Sequence, residues 1–200
     1  MGSILFMTAL YAGFLLTEVN NFNAKISKAL GGDATQALEI ISQVNNRIGV
    51  YLTITTIINI ILASISFLIM WVMGIDSAVF WAVMIGFLNY IPYVGSAIGV
   101  GFPVGLALAQ FGSLQWAILA LVLLMAVQTY VGNILEPKMI GKSVNLSSFV
   151  VLLALVFWTT IWGLPGAILS IPLTSVLVIL LAENQSTKPF AAMFTSDGDL

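Results

Sequence analysis

The sequence predicts an all-α fold: a polytopic membrane helix bundle with two Gly/Pro-broken hairpins and short amphipathic interfacial helices. Three observations carry this. The chain is 60% apolar and only 7% charged over 200 residues, whereas soluble domains carry roughly 25% charged residues. Several apolar runs approach or exceed the ~20 residues that cross a bilayer as a helix. Two stretches of them are broken by proline and glycine, at Asn89-Tyr90-Ile91-Pro92-Tyr93-Val94-Gly95 and at Gly163-Leu164-Pro165-Gly166. Proline removes a backbone donor, and in hydrocarbon a freed backbone group must be satisfied by protein or face a water-filled cavity. The first break is therefore a candidate for a transport pathway.

Taken in order, residues 3–17 are an apolar run of about 15 residues, short for a span. The polar section 18–47 reads as two short amphipathic helices at the cytoplasmic surface or interface, or equally as a small hairpin packed against other parts of the protein. Phe22, Ile26, Ala29 and Leu30 fall at helical spacing in the first, and Gly31-Gly32 stops it. Asp33 with Gln36 resembles a capping box opening the second, whose face is Leu38, Ile41, Val44 and Ile48. Residues 48–73 form the strongest span, ~39 Å of helix, and Gly74-Ile75-Asp76 is a tight turn. Residues 77–91 and 94–110 are the arms of the first broken hairpin, 114–135 is a full span, and Pro137 ends its helix. Residues 147–162 and 167–182 are the arms of the second hairpin. The membrane transport domain is thus expected over 1–182, followed by a polar flexible tail, 183–200.

Segments 77–91 and 147–162 measure only ~22 and ~24 Å as helix, against ~30 Å of hydrocarbon. Either hairpin crosses as short, tilted spans, the favoured reading, or it re-enters on the side it left. Paired short, interrupted segments point to a transporter binding site. Counting crossings places all 6 Lys and Arg residues on one side and the turns near Asp76, Gly112 and Gly163 on the other. By the positive-inside rule the basic side, with the tail, is cytoplasmic. The first apolar run then starts outside, which asks for a further segment upstream.

The chain has no Cys and no His. Disulfides, Cys/His zinc sites and thiol or histidine catalysis are excluded, and no metal or other cofactor is expected. No Ser/His, His/Glu or Asp/Asp motif suggests an intramembrane enzyme. A net charge of −2 without a basic stripe leaves nucleic acid no electrostatic footprint.

Candidate pathway residues follow from polarity inside apolar surroundings. Asn89, Tyr90 and Tyr93 would bind a hydroxylated solute or an ion, or would serve as a cap and an interfacial belt. Pro92 and Gly95 shape that backbone, and Gly163, Pro165 and Gly166 do the same at the second break. Asn59 lies inside the longest span and must face protein or a cavity. Gln128 and Asn133 precede the polar loop. Glu136 shares a face with Asn133. It either pairs with Lys138 or Lys142 or couples transport to a cation. Asp76, in an outer turn, is a weaker ion-coupling candidate. Gly99, Gly101, Gly105 and Pro103 are read as helix-packing positions in preference to a flexible gate.

Three stretches resemble the autoinducer-2 exporter family of bacterial membrane proteins. Phe87 to Ser96 is similar to its Asn-x-Ile-Pro-x-x-Gly signature. Gly132-Asn133-Ile134-Leu135-Glu136-Pro137-Lys138-Met139-Ile140-Gly141 is similar to its Asn-x-x-Glu-Pro-x-x-x-Gly segment. Leu146-Ser147, Gly163 to Gly166 and Ile171-Pro172 follow its third pattern. The chain looks like the C-terminal portion of a longer family chain. The resemblance implies a multi-pass, homo-oligomeric protein of the bacterial inner membrane that exports a small polar solute. It also implies the alternative of sodium/proton antiport, with a monovalent cation or proton as partner. A non-transporting scaffold and a passive channel remain as other classes.

Overall fold

The computed structural model describes residues 34–140, 145–183, 185–196 and 198, and before them residues 6–8, 10, 11, 13, 14, 17 and 28. Among the described residues there is no strand. Residues Met1–Asn46 and Arg47–Leu200 form two compact units. In the first, Leu38, Ile41 and Val44 are half-buried while Glu39, Ser42, Gln43 and Asn45 are exposed, the face expected from their spacing. The expected helix over residues 22–30, the glycine stop after it and Asp33 lie outside the described residues, apart from Lys28.

Helix α1 (Ala34–Met73) runs 40 residues, so the second amphipathic helix and the first long span are one helix rather than two. Nothing in its sequence breaks it, since it contains no proline. Tyr51, Thr55, Ile58, Asn59, Leu62, Ser66, Met70 and Met73 are buried. They recur at three- and four-residue intervals, which defines one inward stripe. Three of these residues are polar, placing hydrogen-bonding groups on the face that a lipid-only environment would not tolerate.

The turn after α1 closes in a Schellman arrangement. Gly74 has φ 71, its N–H reaches Trp71 O at 3.1 Å, and the Ile75 N–H reaches Met70 O at 2.9 Å. Ile75 packs into the core at 4% exposure. Helix α2 (Ala78–Leu88) then runs inward and α3 (Val94–Phe111) returns. The Gln110 side chain ties the two ends of this hairpin together. Its Nε2 donates to Gly74 O at 2.8 Å, and its Oε1 accepts from the Asp76 N–H at 2.9 Å. One amide thus satisfies two backbone groups that α1 and α2 leave free. Gln110→Leu is expected to cost about 1–3 kcal/mol, read as earlier thermal unfolding of the detergent-solubilised protein.

Small residues let the hairpin arms meet. A Cβ on Gly95 would lie 1.7 Å from Leu88 O, and one on Gly99 would lie 3.4 Å from Ile85 Cα. Pro103 and Ala107 continue the same buried face. Gly101 and Gly105 are exposed, and a Cβ added to either would meet nothing within 4 Å. The packing role expected of four positions therefore belongs to Gly99 and Pro103 only.

Helix α4 (Leu114–Tyr130) leads through a π turn (Val131–Leu135) into α5 (Glu136–Ile140). Pro137 does not end this helix. The Glu136 N–H bonds to Val131 O, five residues back. Widening to a π turn accommodates a proline ring that would otherwise strike the preceding turn.

Helix α6 (Ser148–Trp162) is capped by Ser147, whose Oγ accepts from the Val150 N–H at 3.3 Å. Gly163, at φ 64 and ψ −140, turns the chain into α7 (Leu164–Glu183). A Cβ on Gly166 would lie 2.0 Å from Trp158 O, so the second hairpin closes by the same device as the first. Trp158 Nε1 donates to Thr174 Oγ1 at 3.0 Å.

The segment expected to be a flexible tail contains α8 (Lys188–Phe194). Ala191 is buried at 0% exposure, and the Ser147 N–H bonds to Phe194 O at 3.0 Å. The tail's polarity conceals this docking because a seven-residue helix needs only one small residue to dock.

Candidate functional site

The first break is the tip of the α2–α3 hairpin, and its backbone is unusual. The Ile91 N–H bonds to Leu88 O at 2.8 Å, and the Val94 N–H bonds to Pro92 O at 2.6 Å. The second bond closes a three-residue turn around Tyr93, at φ 60 and ψ −51. This is the geometry of the rare, strained γ-turn, here on a residue with a bulky side chain. Pro92, with no N–H of its own, needs no partner in this turn and supplies the accepting carbonyl.

From the tip, side chains reach both neighbouring long helices. Gln128 Nε2 donates to Asn89 Oδ1 at 2.6 Å, and Asn89 Nδ2 donates to Asn59 Oδ1 at 2.8 Å. A relay of three carboxamides thus joins α4, the tip and α1. The Tyr90 hydroxyl lies 2.7 Å from Thr56 Oγ1, which itself donates to Leu52 O at 2.6 Å. Asn59 Nδ2 is buried without a hydrogen-bond partner, and the buried Thr55 lies one turn from Tyr51 on the same face.

The relay also fixes the depth of the tip. Helix α2 has 11 residues, or ~16 Å of length. Gln128 lies about three turns before the end of the Leu114–Met139 helix, and Asn59 about four turns before Met73. The tip therefore meets its neighbours partway along their apolar lengths, not at their ends.

Beside the tip is a cavity of about 530 Å³. Tyr51 and Thr55 from α1 line it, as do Asn89 to Tyr93 with Ser96 from the tip, and Gln128 from α4. Gly132, Asn133, Glu136 and Pro137 of the π turn and α5 line it further, with Leu146, Ser148, Val151 and Ile171 from the second hairpin. The sequence candidates Asn89, Tyr90, Pro92, Tyr93, Gln128, Asn133 and Glu136 are thus brought to one place. Asn59 supports the wall through Asn89 without lining the cavity, and Gly95 holds the hairpin arms together behind it.

Other candidates fall elsewhere. Gly163, Pro165 and Gly166 do not line the cavity; the second hairpin contributes its open end and the middle of α7. Asp76 sits in the turn held by Gln110, also away from the cavity. The expected Glu136–Lys138 ion pair is not formed: Lys138 is exposed, and no ion pair of Glu136 occurs among the described residues. Lys142, the other expected partner, lies outside the described residues. Tyr51 and Thr55 are cavity residues that sequence reasoning misses. Their four-residue spacing with Asn59 on a polar-marked stripe of α1 is the signal that points to them. Among the described residues, no group of His, Cys, Asp or Glu is placed to hold a metal ion.

Comparison with known proteins agrees with this architecture. Residues 1–185 match the family described as AI-2E family transporter. The AI-2 transport protein TqsA of Escherichia coli strain K12 is 28% identical over 193 residues, covering 96% of this chain and 56% of that protein. A Borreliella burgdorferi protein named "Putative transport protein" is 33% identical over 189 residues, covering 94% of this chain and 52% of its own length. The chain thus spans about half the length of these relatives. Among the described residues, four helices are long and apolar enough to cross a membrane, Leu38–Met73, Val94–Phe111, Leu114–Met139 and Leu164–Glu183. This is a multi-pass membrane protein, and the chain belongs to the AI-2E family of transporters.

Proposed function

We propose that this chain carries the solute site of a transporter that exports a small polar solute across the bacterial inner membrane, and that the cavity beside the α2–α3 tip is that site. One observation carries the reading: a cavity of about 530 Å³ whose largely apolar wall carries the polar groups of Asn89, Gln128, Asn133 and Glu136, with the broken hairpin as one side. Its volume lies within the ~300–1,000 Å³ range of small-molecule sites. At ~16 Å, helix α2 is short against ~30 Å of hydrocarbon, which supports reading the α2–α3 hairpin as re-entrant beside the tilted-span alternative, for which α3 is long enough. The basic end of the bundle, with Lys138, Lys188 and the C-terminal tail, is taken as cytoplasmic by the positive-inside rule. Exposed apolar residues such as Val72 and Phe149 are surface for lipid or for other copies in a homo-oligomer. Export of autoinducer-2 itself is suggested by the name of TqsA.

The native chain has no Cys, so single cysteines report without background. Asn89→Cys in the full-length protein is expected to react with a membrane-impermeant thiol reagent, with protection by transported solute. Failure to react from either face removes the cavity from the pathway.

A second reading, sodium/proton antiport, is favoured by the carboxylate of Glu136 standing in the cavity wall without an ion pair among the described residues. On that reading Glu136→Gln abolishes sodium-driven pH change in everted vesicles, and unchanged antiport would overturn it.

A further inference from the structure

We propose that the cavity selects a small organic ammonium compound, with Glu136 as its counter-ion. This rests on the first reading above, that the cavity holds the transported solute, and names the class of that solute.

Charge decides the sign of the solute. Glu136 is the one carboxylic acid among the described lining residues, and those residues include no Lys or Arg. No ion pair offsets it among the described residues. A carboxylate drawn out of water needs a compensating cation, and an anionic solute entering the same space would add repulsion instead. The described wall therefore favours a cation over an anion.

Volume decides between a metal ion and an organic cation. One water occupies roughly 30 Å³ of liquid, so a bare monovalent metal ion would leave most of the 530 Å³ without protein contact. The space suits an organic molecule with its charge at one end.

The remaining wall chemistry suits an ammonium group. Thr55, a residue 5% exposed, lines the cavity one turn from Tyr51 and adds a hydroxyl to the polar part of the wall. Tyr51, Tyr90 and Tyr93 also line the space, and aromatic rings attract cations through their electron-rich faces. Asn133 and Gln128 give amide groups for a hydroxyl on the solute. No single one of these residues is a cation site by itself. A carboxylate with no ion pair among the described residues, a threonine hydroxyl and three tyrosines meet in one cavity.

The test uses radiolabelled ethanolamine as probe on the full-length protein in lipid nanodiscs, with glycerol, acetate and sodium as competitors. Ethanolamine is expected to bind, displaced by unlabelled ethanolamine and not by equal concentrations of the other three. Glu136→Gln is expected to weaken binding about tenfold or more, a 1.4 kcal/mol change, and Glu136→Asp to retain part of it. Size-exclusion profiles matching the parent protein establish that both variants fold. Thr55→Val, which keeps the shape and removes the hydroxyl, is expected to weaken binding less than Glu136→Gln. Absence of ethanolamine binding overturns the proposal, as does equal displacement by glycerol or sodium, or equal binding in folded Glu136→Gln. If ethanolamine fails while Asn89→Cys still reacts from water and is protected by another solute, this inference falls and the transport reading stands. If the cysteine is also unreactive, both fall.

Discussion

Gly95→Ala is expected to disable the protein by preventing closure of the α2–α3 hairpin. The added methyl would lie 1.7 Å from Leu88 O and 2.5 Å from the Leu88 carbonyl carbon. Both are backbone atoms, so no rotamer change relieves the contact. The same carbonyl accepts from the Ile91 N–H at 2.8 Å, so moving it also breaks the first bond of the tip. Overpacking in a tight interior costs about 1–3 kcal/mol and sometimes more, and this contact belongs at the upper end of that range. Gly166→Ala, at 2.0 Å from Trp158 O, is expected to do the same to the second hairpin. Gly101→Ala provides the control. Its methyl meets nothing within 4 Å, and replacing glycine by alanine in a helix interior gains roughly 0.5–1 kcal/mol. Thermal unfolding in detergent should therefore fall for positions 95 and 166 and rise slightly for 101. Equal behaviour of all three would mean that the hairpin arms do not approach as closely as the structure has them.

This contrast marks the limit of what sequence can reveal. Proline and glycine in apolar runs locate both hairpin tips, because a helix in hydrocarbon tolerates such breaks only where protein or water compensates. Spacing along α1 identifies the half-buried face of Leu38, Ile41 and Val44. Polarity within apolar surroundings finds Asn59, Asn89, Gln128 and Glu136. Three of these line the cavity and the fourth bonds to Asn89. What the sequence withholds depends on three-dimensional partners. Gly99 and Gly101 are indistinguishable as letters, yet one faces Ile85 and the other open surroundings. Pro137 resembles a stop because the π turn that admits it leaves no compositional mark. The second break matches the first in texture and in its glycine contact, but cavity geometry separates them: the α6–α7 tip lies away from the lining residues. Glu136 and Lys138 are two residues apart, a spacing that does not place side chains on one helix face, so the expected ion pair has little geometric support.

The carboxamide relay yields the second large effect, through Asn89→Leu. Leucine has the branching of asparagine but a larger volume, so the change removes hydrogen bonds and adds some crowding rather than opening space. It leaves Asn59 Oδ1 without its 2.8 Å donor and Gln128 Nε2 without its 2.6 Å acceptor. These losses are unequal. Gln128 lines the cavity, where water can replace the lost acceptor. Asn59 is 4% exposed and its Nδ2 already has no partner, so its whole carboxamide would be buried and unpaired. An orphaned buried polar group costs about 1–3 kcal/mol, well above the ~0.6 kcal/mol average of an interhelical bond in membrane proteins. Most of the destabilisation should therefore come through Asn59. The double variant Asn59→Leu/Asn89→Leu removes that orphan and is expected to recover stability relative to Asn89→Leu, a coupling measurable by a double-mutant cycle in detergent unfolding. Transport then separates two roles for Asn89. If the double variant regains stability and transport together, Asn89 acts by fixing the tip against α1. If stability returns and transport does not, the Asn89 side chain contacts the solute in the cavity it lines.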